Sequence, residues 1–252
     1  MTSDLALVLP LIALTLLCLA PGHERPSRGA GSGSRHRVYT TRFPLTENPI
    51  SESGQWLNGR QEGLDWADVR ITPGFAFGAE QGPKPYDDPT ALLAGPWAPD
   101  QMAQATARTR SQNDKVFEEV ELRLRSSLSA HRATGYEILF RCLKTKDAYL
   151  QIVRWNGPLG DFTYLNTASG ARYGVADGDV VRASIIGNVI TAYINGVSLL
   201  QATDSTYASG SPGMGFYLSG ARGLNGDYGF TEYLASDDPA LVGGSVTPGP
   251  PR

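Results

Sequence analysis

Apolar and polar residues alternate with a period of two through most of the segment between residues 38 and 235, in short runs separated by Gly, Asn, Asp and Pro. This pattern predicts an antiparallel all-β domain, because successive side chains of a strand point to opposite faces of the sheet. The strongest runs predict strands at 101–108, 116–126, 136–143, 149–155, 162–166, 179–186, 189–194, 197–202, 213–218 and 228–234. Weaker runs predict strands at 38–43, 68–71, 75–77 and 91–93.

The short connections between these runs support the same interpretation. Gly187-Asn188 and Asn195-Gly196 are two-residue loops of the kind that need a positive φ, so residues 179–202 are predicted to form a three-stranded meander. The segment 73–99 is rich in Pro and Gly and is predicted to be mostly loop. Loops of this length within a domain are often functional.

Three successive predicted strands each separate an apolar face from a polar one. Val120, Leu122 and Leu124 share one face and are predicted to lie in the core. If the three strands are neighbours, the opposite face displays Glu119, Glu121, Arg123, Glu137, Arg141, Tyr149, Gln151 and Trp155. The interpretation without a functional role is a solvent-exposed face whose acidic charges are balanced by Arg123, Arg125 and Arg141. Trp155 is predicted to be exposed, because a glycine-rich loop follows it.

Charge and motif content narrow the function classes. The 252 residues include 22 Lys and Arg against 25 Asp and Glu, and the net charge of −3 provides no general attraction to nucleic acid or anionic lipid. Nucleic-acid binding is therefore not expected. The sequence has no Walker loop, dinucleotide-binding fingerprint, Gly-x-Ser-x-Gly elbow or Cys/His metal cluster.

The two ends of the chain differ in composition from its middle. Residues 1–20 contain an uncharged 16-residue run, Leu5 to Ala20, which is short for a spanning helix and typical of a secretory signal peptide. Residues 21–37 are predicted to be a flexible leader, 38–235 a single β-sandwich domain, and 236–252 a disordered Gly/Pro-rich tail. We expect a secreted, periplasmic or extracellular protein. Contact with a membrane would come only through an uncleaved N-terminal segment or a lipidated Cys18.

One segment resembles a known superfamily. Residues 178–218 read GDVVRASIIGNVITAYINGVSLLQATDSTYASGSPGMGFYL. They are similar to the C-terminal half of the concanavalin A-like lectin/glucanase superfamily, particularly its laminin-G-like bacterial secreted jelly rolls. In that group a Gly-Asp strand ending in Arg is followed by Tyr-x-Asn-Gly and by a Thr-Asp run with spaced glycines. The resemblance extends over residues 95–235 and, more loosely, over 38–94. It implies two antiparallel sheets packed as a jelly-roll sandwich, with polysaccharide or oligosaccharide as the common ligand.

The resemblance also bears on bound groups. Sugars are held by aromatic faces together with planar polar side chains. The candidate ligand-binding residues are Trp155, Tyr149, Gln151, Arg141, Glu137, Arg123 and Tyr164. No cofactor is expected. The alternative is a structural calcium ion, because such ions are common in the superfamily. Its candidate ligands are the turn acids Asp87, Asp88, Asp179 and Asp227.

Three function hypotheses follow. The first is a non-catalytic, lectin-like carbohydrate-binding module. The second is a polysaccharide-cleaving enzyme, either a glycoside hydrolase using Glu119 and Glu121 or a lyase using Tyr149 or Tyr164. Hydrolases of the superfamily carry a Glu-x-Asp-x-x-Glu strand, and here Arg123 and Leu124 stand where the second acid is expected. The third is a structural or protein-interaction module.

Overall fold

The alternating runs form antiparallel strands in a computed structural model, which describes residues 36–80, 88–220 and 224–244. Eight strands form the first sheet: β1 (Val38–Thr41), β3 (Val69–Thr72), β4 (Phe75–Gly78), β6 (Gln101–Thr109), β11 (Val180–Ile186), β12 (Val189–Ile194), β13 (Val197–Thr203) and β15 (Tyr228–Ser236). The sheet order is β13-β12-β11-β6-β15-β4-β3, with β1 also pairing with β15.

Seven strands form the second sheet. They are β2 (Trp56–Asn58), β5 (Thr90–Leu93), β7 (Phe117–Ser129), β8 (Arg132–Arg141), β9 (Tyr149–Gly157), β10 (Phe162–Ser169) and β14 (Ser211–Ser219), in the order β10-β9-β8-β7-β14-β5-β2. The prediction of an all-β, two-sheet antiparallel jelly-roll sandwich is confirmed. Every predicted strand is present, β12 with the predicted bounds and the others with shifted ends, and among the described residues β2 is the strand that the pattern did not predict.

The core lies between the two sheets. Val120, Leu122 and Leu124 of β7 are fully buried and pair across the strands with other buried residues, such as Phe140 and Ile138 of β8. The apolar face predicted for this strand is confirmed. Since the period of a strand is two, the residues between these positions lie on the other face of the second sheet, which we call its outer face.

The meander forms as its turns predict. Asn195 and Gly196 both have positive φ, 50° and 78°, which is the requirement of a type I′ turn. In the preceding loop Gly187 has a φ of 58°, as a glycine at the first position of a type II′ turn would. These connections place β11, β12 and β13 in order at one edge of the first sheet.

The ordered contacts extend beyond the predicted domain ends. Arg37 donates through its guanidinium to the carbonyl of Ala94 (3.0 Å) and lies 4.2 Å from the ring of Trp97. Beyond β15 a short helix, α1 (Pro239–Val242), is held by Arg182, which donates to the carbonyls of Leu241 and Val242 at 2.8 and 2.7 Å. Arg37 and the residues of α1 thus contact the sandwich although they lie outside the predicted domain of residues 38–235. Residues 1–35 and 245–252 lie outside the described residues.

A segment between β2 and β3 packs on the outer face of the second sheet. Its Leu64 and Trp66 are buried against Trp155 and Ala133, forming a small apolar cluster separate from the main core. The backbone N–H of His131 donates to the carbonyl of Gly63 (2.9 Å), which ties this segment to the β7–β8 turn. Two 3₁₀ turns, Ala171–Tyr173 and Asn225–Asp227, complete the regular structure of the described residues.

None of the helices in the described ranges has the length and apolar content that crossing a bilayer requires.

A carboxylate-lined cleft on the outer sheet face

A cleft of about 360 Å³ lies on the outer face of the second sheet. Its described lining comes from β7 to β10, from β14 and from a residue two positions before β5. It consists of Asp88, Phe117, Glu119, Glu121, Glu137, Leu139, Tyr149, Gln151, Val153, Phe162, Tyr164 and Tyr217. The register explains the assembly, because Glu119 pairs with Tyr217 on one side, while Leu139 pairs with Gln151. Alternating residues of adjacent strands therefore converge on one surface.

Three carboxylates meet at the floor of this cleft. Asp88, Glu121 and Glu137 each offer an oxygen, and no two of these oxygens are more than 4.8 Å apart. Arg123 lies beside two of them, with its Nη2 atom 3.2 Å from Glu121 Oε2 and 2.6 Å from Glu137 Oε2. All three acids are at least 98% buried. One guanidinium is thus shared between two desolvated carboxylates.

Burial changes the acid strength of the glutamates on β7. Desolvation raises the pKa of Glu119 to about 7, although a hydrogen bond from Tyr149 opposes the change. Desolvation also raises the pKa of Glu121 well above its ordinary value, and the nearby Glu137 and Asp88 charges raise it further. Glu119 is therefore part protonated near neutral pH. Carboxyl groups perturbed in this way concentrate at functional sites.

Tyr149 is the hydrogen-bond partner of Glu119. Its hydroxyl donates to Glu119 Oε1. Desolvation, followed by the charge of Glu119, raises the pKa of Tyr149, so the phenol keeps its proton over the physiological range. Tyr149 is consequently a fixed donor toward Glu119 rather than a base.

Aromatic rings form the wall of the cleft. Tyr164 on β10 has 56% of its surface exposed, and its ring meets Phe162 edge to face at 5.3 Å. Phe117 is also exposed, and its ring covers the buried Arg141 guanidinium at 4.3 Å. Buried acceptors beneath exposed aromatic faces are the two components of a sugar-binding surface.

The expectation that Trp155 is exposed is wrong. Only 1% of its surface is accessible, and its ring meets Trp66 at 5.0 Å and Phe162 at 5.2 Å. The indole N–H donates to Glu137 Oε2 (2.8 Å), so Trp155 supports the cleft from behind. The sequence places Trp155 next to a glycine-rich loop but does not reveal that the distant segment carrying Trp66 covers it.

The interpretation of a solvated face is also wrong. Glu119, Glu121, Arg123, Glu137 and Arg141 do share the outer face, but each is at most 7% exposed. Arg123 and Arg141 lie beneath the cleft lining.

Arg125 breaks the predicted alternation. It has a φ of 45° at a bulge between Leu124 and Ser127, and it turns away to donate to the carbonyls of Pro99 and Gly187 at 2.7 Å each.

The candidate calcium ligands do not come together as a set. Asp88 lies with Glu121 and Glu137, and these three carboxylates could supply part of the six to eight oxygens that calcium takes. Asp179 instead binds Lys144, Asn195 and the backbone of Ala176, and among the described residues neither it nor Asp227 belongs to a group of three possible metal ligands. Asp87 lies outside the described residues.

The sequence analysis did not identify four aromatic or acidic lining residues as ligand contacts. Tyr217, Phe117 and Phe162 were not proposed as ligand contacts, and Asp88 was proposed only for calcium. Gly215 offers a signal: a Cβ atom there would collide with Glu121 Oε2 and lie 3.1 Å from Arg123 Nε, so glycine leaves room for the ion pair. In the run Gly213-Met214-Gly215-Phe216, glycines alternate with large apolar residues. This alternation indicates that one face of β14 leaves room for side chains of the neighbouring strand.

The described residues also form a depression on the first sheet. It measures about 400 Å³ and is lined by residues such as Thr40, Gln104 and Thr106. Its charged groups, the exposed Arg42 and the half-buried Glu232, pair with each other at 2.5 Å. Because its described lining residues include no buried carboxyl group, we place the candidate site in the cleft on the second sheet.

No protein-family model matches the chain, and no curated protein matches its sequence. Among solved structures, the CBM2 module of the evolved Dit protein of Lactobacillus casei BL23 phage J-1 is similar, with 10% identity and a TM-score of 0.52 over 80% of this chain and 96% of that one. The kappa-carrageenase zobellia_236 from Zobellia galactanivorans has 10% identity and a TM-score of 0.50, covering 85% and 100%. The potassium-bound carbohydrate recognition domain of Emp46p has 11% identity and a TM-score of 0.50, covering 78% and 98%. The chain therefore has the concanavalin A-like jelly-roll fold.

Proposed function

We propose that the protein binds carbohydrate in the cleft on the outer face of its second sheet and that it acts outside the cytoplasm as a lectin-like module. The observation that carries this proposal is the combination, in one cleft of about 360 Å³, of exposed aromatic rings and buried carboxylates. The volume falls within the usual range for small-ligand sites. A carbohydrate recognition domain and a carrageenase share the fold, which supports the proposal by analogy alone.

The chemistry of the lining matches that of a sugar ring. The hydroxyl groups of a sugar donate hydrogen bonds, and Glu119, Glu121, Glu137 and the amide of Gln151 offer acceptors. The apolar face of the ring can lie against Tyr164, which is exposed beside these acceptors. Those carboxyl groups of the cleft that are ionised accept stronger hydrogen bonds than neutral acceptors do.

Replacing Tyr164 by alanine should weaken binding and leave stability almost unchanged. We expect a loss of about 1–3 kcal/mol in binding free energy, a magnitude typical of aromatic anchors, and a shift in Tm of less than about 2 °C, because the side chain is 56% exposed. Binding would be measured with a panel of neutral, amino and acidic oligosaccharides, followed by calorimetry. Val197→Ala, at a 57% exposed position on the first sheet, is the control.

Wild-type protein that binds no member of the panel would contradict the proposed function and favour the structural or protein-interaction module. Equal losses with Tyr164→Ala and Val197→Ala would contradict the location of the site.

A second candidate function is glycoside hydrolysis, and the carboxylate arrangement favours it. Glu119, with a pKa of about 7, could give its proton to the glycosidic oxygen as the bond to the sugar carbon breaks. Glu137, beside Arg123, could attack that carbon, and water would then release the sugar. On β7, Arg123 occupies the position where the hydrolases of the superfamily carry their second acid. Glu137 pairs with Arg123 from the neighbouring strand β8, so it could take the role of that acid.

The double substitution of Glu119 and Glu137 by glutamine separates these two functions. We expect the wild-type protein to bind oligosaccharide without producing new reducing ends or unsaturated products that absorb at 235 nm. The double variant keeps the shape of both side chains but loses their acid–base groups. Product formation by the wild type that disappears in the double variant, even at oligosaccharide concentrations that saturate its weakened site, would establish the enzyme instead.

A further inference from the structure

We propose that the first sheet, on its face away from the core, binds an acidic polysaccharide whose sulfate or carboxylate groups are held by Arg70 and Arg108. This site lies on a different sheet from the cleft. It goes beyond the proposed function, because neither its residues nor the charge of its ligand enters that proposal. The inference depends on how the two arginines are held, on their lack of acidic partners and on the polar depression beside them.

The two arginines lie over a pair of phenylalanine rings. In β4, Ala76 belongs to the core, so the residues on either side of it, Phe75 and Phe77, lie on the opposite face of the sheet. Their rings stack with centres 4.9 Å apart. The Arg70 guanidinium lies 4.5 Å from the centre of the Phe77 ring, and the Arg108 guanidinium lies 4.5 Å from that of Phe75. Each guanidinium is therefore held in place by an aromatic contact.

The strand register brings the two arginines to this ring pair from opposite sides of β4. Arg70 on β3 pairs directly with Phe77. Arg108 on β6 pairs with Gly229 of β15, the strand that lies between β6 and β4. Gly229 leaves the space that the Phe75 ring occupies, because a Cβ atom there would lie 2.9 Å from Phe75 Cε2. A larger residue at position 229 would displace the ring beneath Arg108.

Neither arginine has an acidic partner among the described residues. Within those ranges the side chains of Arg70 and Arg108 form no hydrogen bond or ion pair. Of their nitrogen atoms, only Arg70 Nε is closed to solvent without an acceptor, and both residues are partly exposed. A sulfate or carboxylate that reaches this surface would therefore meet open guanidinium donors, which bind such groups through charge-assisted hydrogen bonds.

The polar depression on the first sheet adjoins Arg108. Gln104, Thr106 and Arg108 alternate along β6 on the face away from the core, and the first two line the depression of about 400 Å³. Their amide and hydroxyl groups can exchange hydrogen bonds with sugar hydroxyls. The carboxylate of Glu232 in the depression is paired with Arg42, so its charge is already balanced. The surface thus combines contacts for hydroxyl groups with unpaired cations.

This combination favours a polysaccharide over a nucleic acid or a membrane. Phe75 and Phe77 are each 5% exposed, so neither ring is open for a base to stack on. Anionic membranes are typically bound by clusters of about four to eight basic residues, whereas the described part of this surface offers two unpaired arginines. An acidic sugar chain can use both the guanidiniums and the neutral polar groups beside them.

The test uses two pairs of polysaccharides that share a backbone and differ in charge. The pairs are dextran sulfate with dextran, and polygalacturonate with its fully methyl-esterified form. Binding to the full chain would be measured by biolayer interferometry in about 0.15 M salt, which screens long-range attraction. We expect each charged polymer to bind at least about tenfold more tightly than its neutral counterpart. The double variant Arg70→Gln with Arg108→Gln should reduce this preference to less than about threefold.

Arg172→Gln is the matched control. The exposed Arg172 also lies over an aromatic ring, that of Tyr173 at 5.0 Å, but it belongs to a 3₁₀ turn rather than to this sheet. The control removes one positive charge and should leave the preference for charged polymers unchanged.

A lysine pair separates geometry from charge. Arg70→Lys with Arg108→Lys keeps both charges but loses the planar donors, and we expect about a fivefold loss of affinity for the charged polymers. Because glutamine at these positions uncovers two phenylalanine rings, urea unfolding would check each variant. Arg108→Gln alone is the second variant should the double variant fail to fold, and it should still lower the affinity.

Several results would overturn the inference. Equal binding of charged and neutral polymers would do so, as would equal losses in the double variant and in Arg172→Gln. If phosphatidylserine vesicles or single-stranded DNA bind as tightly as dextran sulfate through the same arginines, the surface recognises that macromolecule instead. If Tyr164→Ala removes the binding of charged polymers, these polymers occupy the cleft. Failure of neutral oligosaccharides to bind the cleft would contradict the proposed function and leave this second site standing.

Discussion

Replacing Glu119 by glutamine should stabilise the protein above pH 7 while it weakens ligand binding. The folded-state pKa of Glu119 is about 7, against an ordinary value of 4.5. The folded protein therefore retains a proton that the unfolded chain releases, and the free energy of unfolding falls as the pH rises from about 4.5 to about 7. Glutamine carries no charge and can still accept the Tyr149 hydrogen bond, so it removes this cost.

The magnitude follows from the displacement of the pKa. Each pKa unit corresponds to about 1.4 kcal/mol, so the gain at pH 8 should be about 3 kcal/mol, and it should nearly vanish at pH 4, where the carboxyl is mostly neutral in both states. Urea unfolding of wild type and Glu119→Gln at the two pH values measures this difference. If the two proteins had the same stability at pH 8, the carboxyl group of Glu119 would not be desolvated in the folded protein, and the prediction would be contradicted.

A gain in stability joined to a loss of binding would have a functional meaning. Proteins keep costly buried charges where these charges act on a ligand. The Glu118→Gln variant separates the two effects, because burial, followed by the charge of Asp227, also raises the pKa of Glu118 to about 7. We expect Glu118→Gln to change stability with pH and to leave binding unchanged.

Replacing Trp155 by alanine should have the opposite consequence, a large loss of stability. The side chain is 1% exposed and packs between Trp66 and Phe162. Truncating a buried tryptophan costs about 3–5 kcal/mol, which for a domain of this size lowers Tm by about 6–20 °C. Thermal and urea unfolding at neutral pH measure the loss.

The matched variant is Trp155→Phe. It retains most of the ring contacts but loses the indole N–H that donates to Glu137. We expect a smaller stability loss, together with weaker ligand binding, because Glu137 loses a partner that orients it. A destabilisation of Trp155→Ala below about 1 kcal/mol would contradict the buried position of this residue.

The all-β architecture could be predicted from the sequence because it depends on local pattern. The period-two alternation of β7, with Val120, Leu122 and Leu124 on one face, determines which residues enter the core. Asn195-Gly196 determines a turn, since both residues adopt positive φ. The same alternation predicts that Glu119, Glu121 and Glu137 share one face, and the register of β7 and β8 agrees with this prediction. The bulge at Arg125 and the three-residue strand β2 escaped prediction, because nothing in the local pattern distinguishes them.

Only the tertiary structure decided what that polar face became. Alternation states that Glu121 and Trp155 point away from the core, but it carries no information on what covers the outer face. The segment with Trp66, far from β9 in sequence, buries Trp155, and Asp88 arrives beside Glu121 through the pairing of β5 with β14. Solvent exposure and pKa depend on these long-range contacts, so the sequence determined the sheet face of each residue, whereas the packing of distant segments turned that face into a buried carboxylate cleft.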